Sequence, residues 1–441
     1  MLKHLKFNIK KSLPFIMIVF VFFFCINFIS VFLPQLFNIW NLKINDNLMN
    51  LRLKVKGNEP VSPFITHIDL NDTSIETHNI SMFDRKVYGD IVTILTKLNV
   101  KYIAFDILFT EKKDIISDNY LVSAFKQSNS IYMPVNTQNE QNRDVLKLPN
   151  LSKEEDDELT KTLWFPKIIK DGNPFIAKYF ILNFIELFKS SKGVGHINID
   201  PDEDGVYRRT SLLIKYKNGY IPLLSFKVIC DYLKVTDKDI EIYFGKYIKL
   251  KNAKLSNNFS KDIIIPIDDK GRMIINFAGR WNKTYFHTSF ENVLSSKDDE
   301  EKLEMLKDYL DKSIVIISDV TSRGKDHGTI PIEKVYPLSG LHSNIINSIL
   351  KENFIYNPDK YQIIFLIFVI SIIYIILAIK LKTLKFAIVS FIYFIMVNFT
   401  FVILYIFFNI QIINIEMSIS FVLTYIILIL FKYIIEQKNQ I

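Results

Sequence analysis

The stretch Leu13 to Leu33, LPFIMIVFVFFFCINFISVFL, contains no charged residue. At about 1.5 Å per residue, a helix of this length crosses a hydrocarbon core of ~30 Å. Three more apolar runs follow near the other end: Tyr361 to Ile379, Phe386 to Phe408, and Ile412 to Phe431. A chain built this way has to divide between lipid and water. Lys3, Lys6, Lys10 and Lys11 precede the first run, which assigns residues 1–12 to the cytoplasm. Lys380, Lys382 and Lys385 separate the second run from the third, whereas Asn409-Ile410-Gln411 carries no positive charge. Positive-inside counting therefore expects both termini, including the tail 432–441, in the cytoplasm and residues 35–358 outside. The first run is too long for a cleaved signal peptide and lacks small residues at a cleavage site, so it reads as a retained anchor. Cys25 follows Phe24, where a lipidation site would have a small residue, and Cys230 has no cysteine partner in the outer region.

The net charge of +8 raises the question of nucleic acid. Lysines flanking the apolar runs account for the excess. The outer region carries the acidic run Glu154-Glu155-Asp156-Asp157-Glu158 and no basic cluster with interleaved aromatics, so nucleic acid is excluded as a partner.

Within the outer region, Asn41 to Leu53 has helical apolar spacing, as though the first membrane helix continued outward until Pro60 and Pro63. Phe64 to Leu70 reads as a strand, Lys86 to Leu98 as an amphipathic helix, Lys101 to Asp106 as a strand, Asp118 to Gln127 as a helix and Ser130 to Pro134 as a strand. That alternation implies βαβ units and a parallel or mixed sheet. Residues 135–190 carry no assignable motif. Strands and turns are expected from Gly193 to Phe277, a buried strand over Ser313 to Ser318, and a helix over Ser339 to Leu350.

The segments Tyr102 to Phe109, Gly195 to Arg209 (GHINIDPDEDGVYRR), Ile265 to Asp268, Gly271 to Gly279 and Lys312 to Ile317, followed by Asp326, Pro331 and Gly340-Leu341-His342-Ser343-Asn344, together resemble the CHASE type-2 sensor family. The resemblance covers most of residues 35–350. It implies an α/β extracytoplasmic sensor domain anchored by one N-terminal and three C-terminal transmembrane helices, of the kind associated with bacterial cyclases, histidine kinases and serine/threonine kinases. The chain departs from the family pattern at two places. Met82-Phe83-Asp84-Arg85 stands where relatives carry a tryptophan- and proline-rich turn, and residues 432–441 are too short for a cytoplasmic output domain.

In an open parallel sheet, ligands bind beyond the carboxyl ends of the strands. Asp69 and Asp106 fall at two such ends, and Asp319 and Asp326 follow a later strand. With Arg85 and His342 in reach, these carboxylates form a candidate site for a cation or a small basic ligand. The competing reading is that strand-end aspartates cap helices or close turns. The turn Asp200, Asp202, Asp204, Gly205 raises the question of a calcium loop. The twelfth position from Asp200 is Ser211 rather than glutamate, and Arg208 and Arg209 intrude. A salt-bridged structural turn is the stronger reading, so no metal ligand is assigned. His196 and His327 have no partner at ligand spacing.

No HExxH, GxSxG, GxxxxGK[ST] or CxxC occurs, and no cofactor is called for. The leading expectation is a non-enzymatic sensor that binds an unidentified small extracytoplasmic ligand and signals through the bilayer to a separate cyclase or kinase. The last two spans would pack against that partner or against a second copy of the chain. The alternatives are a metal-dependent hydrolase using Asp69, Asp106 and Asp326, or a truncated remnant of a receptor cyclase or kinase.

Overall fold

A computed structural model describes residues 9–33, 35, 37–78, 84–138, 150–256, 259–322, 326–412 and 415–438. Met82 and Phe83, at the first departure from the family pattern, lie outside the described residues. The chain divides into two compact units, Met1–Gly57 with Ile355–Ile441, and Asn58–Phe354.

Among the described residues of the first unit, four helices are long and apolar enough to cross a membrane: Ser12–Phe32, Lys360–Lys380, Thr383–Phe408 and Ile415–Lys438. Phe23 is fully buried and meets Tyr374 and Phe421 edge-on, at 6.2 and 5.9 Å, while those two rings stack at 4.5 Å. Three spans thus share one aromatic knot. The spans contain few small residues, yet those present are used at the seams. Ser371, Ser390, Ser420 and Thr424 are all buried, and each returns its hydroxyl to a carbonyl of its own helix. Asn27 donates to Ser420, a polar tie in a place where lipid offers no substitute.

The first span does not continue outward as expected. Leu33 leaves the helical region at φ −124° and ψ 59°, and a separate helix runs Asn38–Lys56. Pro34 is the reason in the sequence, because the residue before a proline is pushed out of the α region. The later helix ends not at Pro60 but at Gly57, whose φ of +78° suits glycine alone. Its Arg52 is fully buried and donates to Asn409 Oδ1 at 2.9 Å.

The second unit is built on a seven-stranded sheet. Its strands are β1 (Ile65–Leu70), β2 (Tyr102–Phe105), β3 (Ile131–Gln138), β4 (Tyr179–Ile181), β5 (Gly193–His196), β6 (Phe286–Ser289) and β7 (Ile314–Asp319). The order is β6-β1-β7-β2-β3, all parallel; β3 then pairs β5 in parallel and β4 antiparallel. Both faces are covered, so the central strands are buried along almost their whole length and read as apolar runs. Ile68, Leu70, Ile103, Phe105, Val315 and Ile317 join one core with α1 (Arg85–Lys97) and α2 (Ile115–Ser128). Asp84 caps α1 through the amides of Lys86 and Val87, and Asp114 caps α2 through Ser117. The opposite face holds α3 (Leu224–Tyr232) and α4 (Ser339–Lys351), with Tyr102 and Tyr132 reaching Asp231 of α3.

Helix α3 falls where strands and turns were expected. Six of its nine residues are buried, and the Lys227–Asp231 pair four residues apart is too short a polar stripe to set it off from the strands around it. The unassigned stretch 135–190 supplies β4, an acidic helix Lys153–Lys161 closed by a Ser152–Glu155 capping box, and the edge strand Lys167–Lys170. That edge strand completes a second, four-stranded sheet with Ile240–Tyr243, Tyr247–Ser256 and Phe259–Pro266.

Gly195 in β5 sits against the start of α3. A Cβ there would lie 2.5 Å from Leu224 Cα and 2.9 Å from the Pro222 carbonyl oxygen, backbone atoms that cannot rotate away. Gly195→Ala should therefore lower the melting temperature of the full chain by several degrees, an overpacking cost of about 1–3 kcal/mol. An unchanged melting curve would show that this close approach is not required.

Candidate functional site

Because β7 lies between β1 and β2, the carboxyl ends of these three strands are neighbours. Leu70 is in register with Asp319, and the Asp106 amide donates to the Ile317 carbonyl at 2.8 Å. Asp319 closes its own turn by accepting from the Thr321 amide at 2.9 Å. Asp106 is buried just past β2, with His342 Nε2 3.8 Å from its Oδ1. His342 reaches in from α4 and places Nδ1 3.1 Å from Ser225 Oγ on α3.

Burial governs the charges here. It pushes the Asp106 carboxyl up to about 7 and the His342 imidazole down to about 4. Asp326 is open to solvent on one side, but crowding on the other, followed by repulsion from Asp106, raises it to about 7 as well. A neutral imidazole thus faces the Asp106 carboxyl, and the charge of Asp106 in turn bears on Asp326.

Asp69 takes other partners. It lies on β1, two residues from His67 and therefore on the same sheet face. Its Oδ2 is 2.8 Å from His287 Nδ1 and its Oδ1 is 3.5 Å from Ser318 Oγ. Neither His67 nor His287 was singled out from the sequence. The alternation His67-Ile68-Asp69 within a strand was the available signal, whereas His287 lies more than two hundred residues away and joins only through the β1–β6 pairing. Arg85 does not join the carboxylates singled out with it. It starts α1, where its guanidinium packs 4.5 Å over the Phe109 ring, lies 3.3 Å from Asp118 and donates to the Glu111 carbonyl at 2.8 Å.

The aspartate-rich turn is tied by arginine. Arg208 bonds both carboxylate oxygens of Asp204 at 2.8 Å and reaches Asp202 at 3.1 Å, while Arg209 Nε is 3.1 Å from Asp202. Gly205 takes φ +80° at the apex. These bonds occupy the oxygens that a calcium loop would direct at the ion. Asp200 turns instead into a cleft of about 720 Å³ that is also lined by Lys178, Arg209, Lys270 and Arg272. Burial raises the Asp200 carboxyl, and the Arg272 charge opposes that shift.

The Asp106 environment sets a pH dependence. Its folded pKa lies above the ordinary 3.8, so ionisation costs nothing below that value, costs more as pH rises, and reaches its full cost above about 7. Asp106→Asn should be no more stable than the parent at pH 4 and more stable by about 1–3 kcal/mol at pH 8. Thermal melts across that range test this, and a gap that does not change with pH would refute the assignment.

A family model described as the CHASE2 domain matches residues 18–379. No curated protein and no solved structure matches the chain. The match takes in the parallel sheet, the aspartate-rich turn, α4 and the first two spans, and on that extent the chain belongs to the CHASE2 domain family.

Proposed function

We propose that this protein is a membrane-anchored extracytoplasmic sensor that responds to a small ligand at the strand-end rim and passes the response through its spans to a separate cytoplasmic output protein of the cyclase or kinase kind. CHASE2 is a family of extracellular sensor domains, and four helices of spanning length accompany it here. The observation that carries the reading is helix α4. Its first turn holds His342 beside Asp106, and about 7 Å further along, at ~1.5 Å per residue, Asn347 accepts from the Ser62 amide at 2.9 Å. Ser62 stands near the entry to the outer unit, and Asn353, just past α4, bonds Glu59 at 3.2 Å near the exit. One rod thus joins the rim to both places where the chain enters and leaves the outer unit.

The rim suits a cationic or basic ligand, which would favour the ionised forms of Asp106 and Asp326 over the protonated ones. Such a ligand shifts the balance between two arrangements only by its difference in affinity for them. Asp69 remains a candidate contact through Oδ1, which accepts only a long bond from Ser318, whereas Arg85, committed to Asp118, is a positioning residue at most.

The lysine pattern puts Lys380 to Lys385 and both termini in the cytoplasm. A cysteine at exposed Asp157 should then react with an impermeant maleimide on intact cells. Reaction only after permeabilisation would overturn the topology and the sensor reading together. The third and fourth spans, Thr383–Phe408 and Ile415–Lys438, are read as the surface that holds the partner or a second copy of the chain. Removing residues 386–441 should abolish co-purification with a co-expressed cyclase or kinase partner while leaving the outer unit folded. Undiminished recovery would place the partner contact elsewhere.

A further inference from the structure

His67, Asp69 and His287 form a cluster whose donor atoms all lie within 4.8 Å of one another. Strands β1 and β6 create it. They run parallel with His67 opposite His287, and Asp69 follows two residues on along the same face. The local chemistry is unusual in two independent ways.

The first is His67. Its side chain is fully buried, and neither ring nitrogen has a hydrogen-bond partner among the described residues. The ring is held by packing alone, stacked on His287 at 4.8 Å and meeting Trp281 edge-on at 4.7 Å. Buried polar atoms are normally paired, and an unpaired one in a well-packed site calls for an explanation such as an ion.

The second is the proton count on His287. Its Nε2 lies 3.2 Å from the Trp281 carbonyl oxygen, which can only accept, so Nε2 carries a hydrogen. Its Nδ1 faces Asp69 Oδ2 at 2.8 Å. In a neutral ring protonated at Nε2, that would set a lone pair against a carboxylate. A proton, carried by either group, or a cation has to lie between them. A histidine that donates one ring N–H to a backbone carbonyl while its other nitrogen turns to a carboxylate and a second imidazole has the outer-shell arrangement of a metal ligand.

We propose that His67, Asp69 and His287 bind one divalent transition-metal ion, of which zinc is the best match. Two imidazoles and one carboxylate suit a borderline ion, while calcium and magnesium prefer all-oxygen sites. Bonds of ~2.0–2.2 Å to one ion require the Asp69–His287 pair, now 2.8 Å apart, to open and the wider separations to close. Three protein ligands leave a coordination position open to an exogenous donor. The site stands on the sheet face that also carries α4, and His342 of that helix is close enough to bear electrostatically on His67. The proposal does not depend on the sensor reading, since a structural ion would use the same ligands.

The test uses the full chain in detergent, without an oligohistidine tag, after chelator treatment and dialysis. Zinc titration by calorimetry should show one equivalent bound per chain, cobalt should develop visible absorption bands, and millimolar calcium should do neither. His67→Phe keeps the ring packing and removes a donor, and Asp69→Asn keeps the shape and removes the charge. Each should weaken zinc binding by at least about tenfold, given that even outer-shell changes cost 10–100-fold. If His67→Phe does not fold, as judged by circular dichroism, Asp69→Asn alone decides. No zinc uptake by the folded parent would overturn the proposal and leave a plain hydrogen-bonded pair between His287 and Asp69. Uptake unaffected in a folded variant would overturn it by moving the ion elsewhere.

Discussion

Strand β7 is the piece on which the outer unit depends. It is made from residues more than two hundred positions after β2, yet it lies between β1 and β2 and pairs with both. Without it those two strands have no common neighbour, and the carboxyl ends bearing Asp69 and Asp106 would not meet. Non-local parallel pairing carries a loop-closure cost before any contact offsets it, so the sheet centre forms only once the chain has returned. The rim chemistry therefore reports on a completed fold.

Against that apolar centre, the polar content of the second face stands out. Along α4, every residue from Ser339 to Ile349 is buried, including His342, Asn344 and Asn347. Asn344 and Asn347 hold backbone amides of Ala278 and Ser62 at 2.8 and 2.9 Å, so this polarity is spent fixing irregular segments that have no ladder of their own. His67 is different, because burial lowers its basicity while neither ring nitrogen finds a hydrogen-bond partner among the described residues. Sequence choices that conflict with local stability tend to gather where a protein acts.

Much of this could be read in the chain before folding. Strands β1, β2 and β7 and helices α1 and α4 have the length, apolarity and breakers that mark such elements, and they lie within a few residues of expectation. What could not be read had no local signal. Helix α3 is buried on nearly all sides, β6 is only four residues long, Phe286–Ser289, and looks like a loop, and the break after Leu33 turns on one proline inside a long apolar pattern. The site divided in the same way. The approach of His342 to Asp106 was legible because Asp106 lies just past a strand end and His342 in the first turn of a helix, where side chains are free to converge. His67 was hidden inside a strand that reads as core, His287 depended on a pairing that no periodicity reveals, and the attraction of Asp118 drew Arg85 to the α1–α2 side.

The tie between Glu59 and Asn353 joins the first segment of the second unit to its last. Glu59 also gives its amide to the Ala278 carbonyl, and Asn276 donates to the Asn353 carbonyl, so the incoming and outgoing segments are laced to one strip of chain as well as to each other. Sliding one segment past the other, as a piston would, has to break several of these bonds at once. The first and last segments of this unit are therefore held as a pair, and any change that separates them has to give up hydrogen bonds at both.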